Sequence, residues 1–165
     1  LPIIILVGHS ELLVRLQSIM TPSADSSSAL RIALWESTLY MIAYNPFLGI
    51  GWGSYWLVYP GFDFFIQNEE TIIYHAHNMF LNIAAEIGLP GFFCFMYVIY
   101  GHLRLAVATM NKRAARYRKG MALGLAAAFV GIAVGGLTDY VMFNIELSML
   151  FWLLSALALV VAEVQ

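Results

Sequence analysis

Two histidines and an asparagine lie together in the stretch YHAHNMFL, residues 74–81, at the start of an apolar segment. A neutral imidazole takes up a proton near pH 7, so His75 or His77 could act as a general base toward a hydroxyl group. The pair could also bind a metal ion, but a metal site needs three or four ligands, and no further His or Cys stands at a familiar spacing. Both could equally be solvated loop residues, and their neighbours in the sequence leave these hypotheses open.

Two arginines and two acids are the other candidates for a role in chemistry. Arg31 carries donors that fit phosphate oxygens, although an arginine near a membrane also contacts lipid headgroups. Arg15 is a second candidate for the same role. Glu86 follows His77 by nine residues, so on one helix it lies on roughly the opposite face and need not touch the imidazole. Asp139 stands at the end of an apolar stretch, where a carboxylate marks the interface or orients a neighbour.

The composition indicates a membrane protein. The 165 residues are 61% hydrophobic and 11% charged, whereas soluble domains carry about a quarter charged residues. The net charge of -2 gives no attraction to nucleic acid. The single cysteine, Cys94, excludes an internal disulfide, and its apolar surroundings disfavour thiolate chemistry.

Three stretches are long and apolar enough to cross a bilayer: residues 90–110, 120–137 and 147–162. The loop at 111–119 holds five of the eight Lys and Arg residues, which places it in the cytoplasm by the positive-inside rule. The loop at 138–146 has no Lys or Arg and is expected outside. By parity, the histidine stretch also faces the periplasm or the cell exterior.

These assignments predict an all-α, polytopic membrane helical bundle with a large extracytoplasmic loop. Residues 1–8 are interpreted as the tail of a preceding transmembrane helix, 9–89 as the loop with amphipathic helices, and 90–165 as three transmembrane helices. The apolar runs at both ends suggest part of a larger multi-pass protein.

Two helices are expected within the loop. The first follows a cap at Ser28 and carries one apolar stripe, formed by Ile32, Trp35, Leu39 and Ile42. This helix is expected to lie along the membrane surface or against the helical bundle. The second runs over residues 78–87. Gly88 ends it, and Pro90 suits the first turn of the next helix.

The segments RIALW, NPFLGIGWGSY and HAHNMFLNIAAEIGLPG, followed by a basic loop and two further spans, resemble the O-antigen ligase and polymerase superfamily of bacterial membrane enzymes. The resemblance covers about residues 29–145. The composite of P-x-x-G-x-G, H-x-H-N and A-E-x-G-x-x-G is fairly specific, whereas no single piece is.

The resemblance implies transfer of a glycan from undecaprenyl diphosphate to a hydroxyl group on lipid A core, a growing polysaccharide or a protein. The reaction would occur on the outer face of the bacterial cytoplasmic membrane, with inversion at the anomeric carbon and without a metal or other cofactor. Family members are usually much longer, so this chain corresponds to a C-terminal part and is expected to be inactive alone.

The resemblance also assigns roles to individual residues. Arg31 would contact the diphosphate, with Arg15 as the second choice. His77, directly before Asn78, is the first choice for the histidine that assists the acceptor, and His75 is the second. Beside the roles that the resemblance implies, three further polar residues are expected to support the site: Asn78, Glu86 and Asp139.

Two other classes of protein compete with a glycan transferase. A transporter or flippase fragment handling a lipid-linked or sugar substrate would be expected to place its polar residues within the spans. A sensor or structural protein would use the loop to bind a partner. The polar candidates cluster in the outer loop, which favours the enzyme.

Overall fold

The computed structural model describes residues 26–63, 72–111 and 115–163, and the regular secondary structure within these ranges is helical. This confirms the predicted all-α class. The helices are α1 (Ser26–Tyr44), α2 (Tyr55–Val58), α3 (Met79–Asn111), α4 (Arg116–Gly135) and α5 (Ile145–Glu163), with 3₁₀ turns at Tyr59–Phe62 and Val141–Phe143.

Helices α3, α4 and α5 are each long and apolar enough to cross a membrane, as predicted for this part of the chain. They pack through a shared core of small and aromatic side chains. Alanines let the helix backbones approach closely, and the aromatic rings fill the remaining space. The buried members of this core are Ala106, Ala122, Leu125, Ala126, Phe129, Phe151, Ala158 and Val161.

Helix α3 bends at Gly88, where φ is 71° and ψ is 172°. This confirms the predicted break, because a positive φ favours glycine and interrupts the helical hydrogen bonds. Pro90 begins the arm after the bend, where its missing N–H costs little. The short arm of α3 before the bend can therefore run in a different direction from the membrane-spanning arm.

The glycine loop, which we define as residues 46–54, packs on this bend. The carbonyls of Ala85 and Glu86 accept the N–H groups of Ile50 and Gly51, both at 2.9 Å. At the other end of the bend, Leu89 N–H donates to the loop's first carbonyl at 2.7 Å. The loop thus satisfies backbone groups that the break in α3 would leave unpaired.

One prediction about α1 is wrong. The helix already includes Ser26, so Ser28 lies inside it and does not cap it. Ile32 and Leu39 of the apolar stripe are 48% and 54% exposed, whereas Leu34 and Met41 are fully buried, so the stripe is not the face that packs against the other described helices. Helix α1 carries apolar residues around much of its circumference, so their spacing alone does not select the buried face.

A buried hydroxyl pair selects that face instead. Thr38 Oγ1 and the Tyr55 hydroxyl lie 2.8 Å apart, and both side chains are fully buried. A buried hydroxyl needs a partner. Helix α1 therefore turns Thr38 toward α2 and leaves the Ile32 side of the helix exposed.

The contact between the glycine loop and α3 yields a stability prediction. Gly49 and Gly53 share a φ of +69°, but a Cβ at Gly49 would collide with the Glu86 carbonyl, whereas a Cβ at Gly53 meets no atom within 4 Å. Alanine at either position costs about 1–2 kcal/mol in backbone conformation. Gly49→Ala is expected to lose about 1–3 kcal/mol more from the collision. Thermal unfolding in detergent measures the difference, and equal losses for the two variants would contradict the packing described.

Candidate functional site

Asn78 joins the start of α3 to the end of α4. Its Oδ1 accepts the backbone N–H groups of Phe80 and Leu81, both at 3.0 Å, which is the geometry of a helix N-cap. Its Nδ2 donates to the Leu137 carbonyl at 2.9 Å. The residue directly after His77 is therefore fixed to two helices at once.

A backbone hydrogen bond strengthens the same junction. Met79 N–H donates to the Gly136 carbonyl at 2.7 Å. A Cβ at Gly136 would press into the Met79 side chain, so glycine permits this approach. The two bonds bring the segment after α4, which carries Asp139, against the histidine stretch.

The junction places His77 beside Asp139. The distance from His77 Nδ1 to Asp139 Oδ1 is 3.3 Å, and the two side chains are 38% and 65% exposed. A carboxylate at Nδ1 favours the tautomer with the proton on that nitrogen, which leaves Nε2 free to accept a proton. His77 thus has both an orienting partner and access from outside the protein.

The backbone of His77 is strained. Its φ is +48°, and it is the sole non-glycine residue with a positive φ in the described part of the chain. Such a conformation costs about 1–3 kcal/mol and persists where neighbours enforce it. Trp35 Nε1 donates to the His77 carbonyl at 3.4 Å, and His77 N–H donates to His75 Nδ1 at 3.3 Å. These two hydrogen bonds hold the His77 backbone in this conformation.

His75 supports His77 from a half-buried position. Its ring lies 4.4 Å from that of His77, 4.7 Å from Phe143 and 5.9 Å from Tyr140. Burial lowers the pKa of His75 below its ordinary value of 6.5, and the His77 ring lowers it further, while Asp139 opposes the shift. His75 is thereby kept neutral, as its Nδ1 must be to accept the His77 N–H.

The same three side chains could hold a metal ion. One ligand atom from each of His75, His77 and Asp139 lies within 4.8 Å of the others. Asp139 was not predicted as a metal ligand, because it lies far along the chain from the two histidines. Both Nδ1 atoms already contact groups of the chain, so an ion would use the Nε2 atoms or displace these contacts.

Glu86 belongs to a buried layer beneath the histidines. Its side chain is 3% exposed and accepts backbone hydrogen bonds from Gly53 and Tyr55. It ties the glycine loop to α3 and has no described contact with His77. In the same layer Asn82, fully buried, accepts the Ala76 N–H at 3.0 Å and so holds the residue between the two histidines.

Arg31 lies on α1, one turn before Trp35, so the two side chains share a face of the helix. Because the Trp35 indole donates to His77, this face of α1 borders the histidine stretch. Within residues 26–63, 72–111 and 115–163, no carboxylate forms an ion pair with Arg31. Arg15 lies outside the described residues.

Three residues of the site were not identified from the sequence. Trp35 was assigned to an apolar stripe, yet its indole N–H holds the His77 carbonyl. Asn82 comes one turn after Asn78, which is a weak signal that both act on the same loop. Tyr140 directly follows Asp139, and only the fold shows that its ring lies beside His75.

The chain is similar in sequence to a known protein family and to two curated proteins. A family model described as O-antigen ligase matches residues 1–96. A Rickettsia prowazekii protein provisionally named a polysaccharide ligase is 25% identical over 145 residues, covering 84% of this chain and 32% of that protein. A Rickettsia felis protein with a similar provisional name is 28% identical over 107 residues, covering 58% of this chain and 25% of that protein. No solved structure gives a significant match.

The chain spans between a quarter and a third of the length of these curated relatives. The family match includes the glycine loop and the histidine stretch, whereas Asp139 lies beyond it. Three apolar helices and this match together identify a membrane protein. The match covers more than half of the sequence, and the chain belongs to the O-antigen ligase family.

Proposed function

We propose that this chain forms part of an enzyme that transfers a glycan from undecaprenyl diphosphate to a hydroxyl acceptor. The acceptor would belong to lipid A core, a growing polysaccharide or a protein. The observation that carries the proposal is the pairing of His77 with Asp139 on an accessible surface. Membership of the O-antigen ligase family supports glycan transfer as the reaction.

In this mechanism His77 is the general base. Its Nε2 removes the proton of the acceptor hydroxyl while that oxygen attacks the anomeric carbon of the donor. The bond from that carbon to the diphosphate breaks, and the leaving group takes the electron pair. Attack from the opposite face inverts the anomeric carbon. Asp139 stabilises the positive charge that His77 gains, because its carboxylate lies 3.3 Å from Nδ1.

The charge of the leaving diphosphate is offset by arginine in this proposal. Arg31 lies on the face of α1 that borders His77 and has no carboxylate partner among the described residues. A guanidinium binds phosphate oxygens through several donors at once and lowers the energy of the departing charge. We therefore assign no metal to the reaction, although His75, His77 and Asp139 could bind one.

The proposed site faces the outside of the bacterial cytoplasmic membrane. The basic segment at residues 111–119 includes the last residue of α3 and the first turn of α4, and these helix ends lie away from the histidines. If this loop is cytoplasmic, as its five cations favour, the Asn78 junction lies at the outer surface. A glycan exported on its lipid would meet the site there.

The described spans favour catalysis over transport. Thr109 and Ser155 are buried polar side chains of α3 and α5, and each donates to a carbonyl one turn earlier in its own helix. Such groups are satisfied locally and mark no polar path across the bilayer. His102 lies within α3, where its ring stacks on Phe129 at a centroid distance of 5.4 Å and its buried Nδ1 has no hydrogen-bond partner among the described residues. The candidate catalytic and diphosphate-binding groups lie outside these helices or at their outer ends.

The assignment of the base predicts a ranked loss of activity in the protein expressed from its full open reading frame. His77→Ala is expected to lower kcat about 10²–10⁴-fold, because the hydroxyl keeps its proton. Asp139→Asn is expected to lower it about 10–100-fold, since the imidazole remains but loses its orienting partner. Transfer of labelled glycan from the lipid donor, measured after dialysis against EDTA, checks both.

His75→Asn is the matched control for this assay. Asparagine offers Oδ1 near the place of Nδ1, so the His77 N–H keeps an acceptor and most activity should remain. Loss of transfer in His75→Asn with retention in His77→Ala would exchange the roles of the two histidines. Loss of wild-type activity with EDTA, restored by a divalent ion, would contradict metal independence.

The proposed orientation of the chain across the membrane gives a separate prediction. In a Cys94→Ser background, Thr138→Cys places a thiol in the exposed segment beside Asp139, and Ala115→Cys places one in the basic loop. A membrane-impermeant maleimide applied to intact spheroplasts should label position 138 at once and position 115 only after permeabilisation. The reverse pattern would place the histidines in the cytoplasm and exclude the proposed donor.

A further inference from the structure

A groove of about 260 Å³ runs between α3 and α4, and its lining side chains are all apolar. Ile99 and Leu103 of α3 form one wall, and Val134 and Leu137 of α4 form the other. Phe129, which is 1% exposed, lies at its base. The lining contains no polar side chain that could bind a sugar or a phosphate, so the groove suits a hydrocarbon.

The outer end of this groove meets the candidate site. Leu137 lines the groove, and its carbonyl accepts the hydrogen bond from Asn78. Phe80 also lines the groove, and its N–H donates to the same asparagine. The groove therefore begins at the residue that follows His77 and runs away from it along the membrane-spanning part of α4.

We propose that the groove holds the first part of the polyprenyl chain of the lipid-linked donor. This inference rests on the proposed function, which supplies a donor whose reacting sugar is joined to the lipid by a diphosphate alone. With the sugar beside His77 and the diphosphate near Arg31, the hydrocarbon must leave the site within a short distance. The groove offers an apolar path that starts at that point.

The position of the groove suits entry from the bilayer. Val134 is 60% exposed and Leu137 is 51% exposed, so the groove is open along the side of the helix pair. From Val130 to Leu137 the lining follows α4 for about 10 Å. A lipid chain can enter sideways from the membrane while its headgroup stays at the outer surface.

The test fills the groove in the protein expressed from its full open reading frame. Val134→Trp places a large ring inside it, whereas Leu123→Trp places the same ring on α4 outside the lining at an equally exposed position, 60% in both cases. Each variant is assayed with the polyprenyl-diphosphate donor and with a donor whose lipid is replaced by a methyl group, which is too short to reach Val134.

Val134→Trp is expected to raise KM for the polyprenyl donor about tenfold, because the ring occupies the path of the chain. Its KM for the methyl donor and its kcat should change little, because that donor has no chain to enter the groove, and Leu123→Trp should match the wild type with both donors. Arg31→Gln should raise KM for both donors about tenfold to a hundredfold, because both carry the diphosphate. An unchanged KM for the polyprenyl donor in Val134→Trp, or an equal rise for both donors, would overturn the proposal.

A second measurement does not require transfer. Benzoylphenylalanine at position 134, irradiated with the polyprenyl-diphosphate glycan and without acceptor, should give a covalent adduct with the donor that position 123 does not give. An adduct with another segment of the protein would show that a helix fills the groove and would overturn the proposal. A donor adduct in a protein without transferase activity would support the groove while contradicting the proposed reaction.

Discussion

The hydrogen bonds of the Asn78 carboxamide are the interaction on which the candidate site depends. One end of this side chain caps α3 and the other holds the carbonyl after α4. His77 and Asp139 are distant in sequence, and they meet because each directly adjoins a segment fixed by this side chain. The strained backbone of His77 is the cost of the arrangement, and the Trp35 bond from α1 helps to maintain it.

The bend at Gly88 links this junction to the membrane. It separates the arm of α3 that carries the site from the arm suited to the bilayer, and the glycine loop packs on the bend through backbone contacts that leave no room for side chains. Glu86 fastens the same loop from within the buried layer. The polar groups of the candidate site thus lie at one end of the α3–α4 pair, next to an apolar groove.

Local signals in the sequence were sufficient for part of this structure. The three spans follow from apolar length, and the break at Gly88 follows from glycine and proline chemistry. The buried face of α1 could not be predicted from the sequence, because apolar residues surround this helix. The buried contact between Thr38 and Tyr55 determines which face is turned inward. The nearness of Asp139 to His77 could not be predicted either, since no local rule brings together two non-helical segments that are this far apart in the sequence.

A double-mutant cycle on transfer activity tests most directly whether Asn78 acts by holding Asp139 against His77. Asn78→Asp keeps the capping oxygen but loses the donor to Leu137, so it should weaken the junction while α3 stays capped. If the account is correct, Asn78→Asp lowers kcat strongly in the wild type and only weakly when Asp139 is already asparagine, with a coupling of about 0.5–3 kcal/mol. Losses that simply multiply, with no coupling, would show that Asn78 and Asp139 act independently and would contradict it.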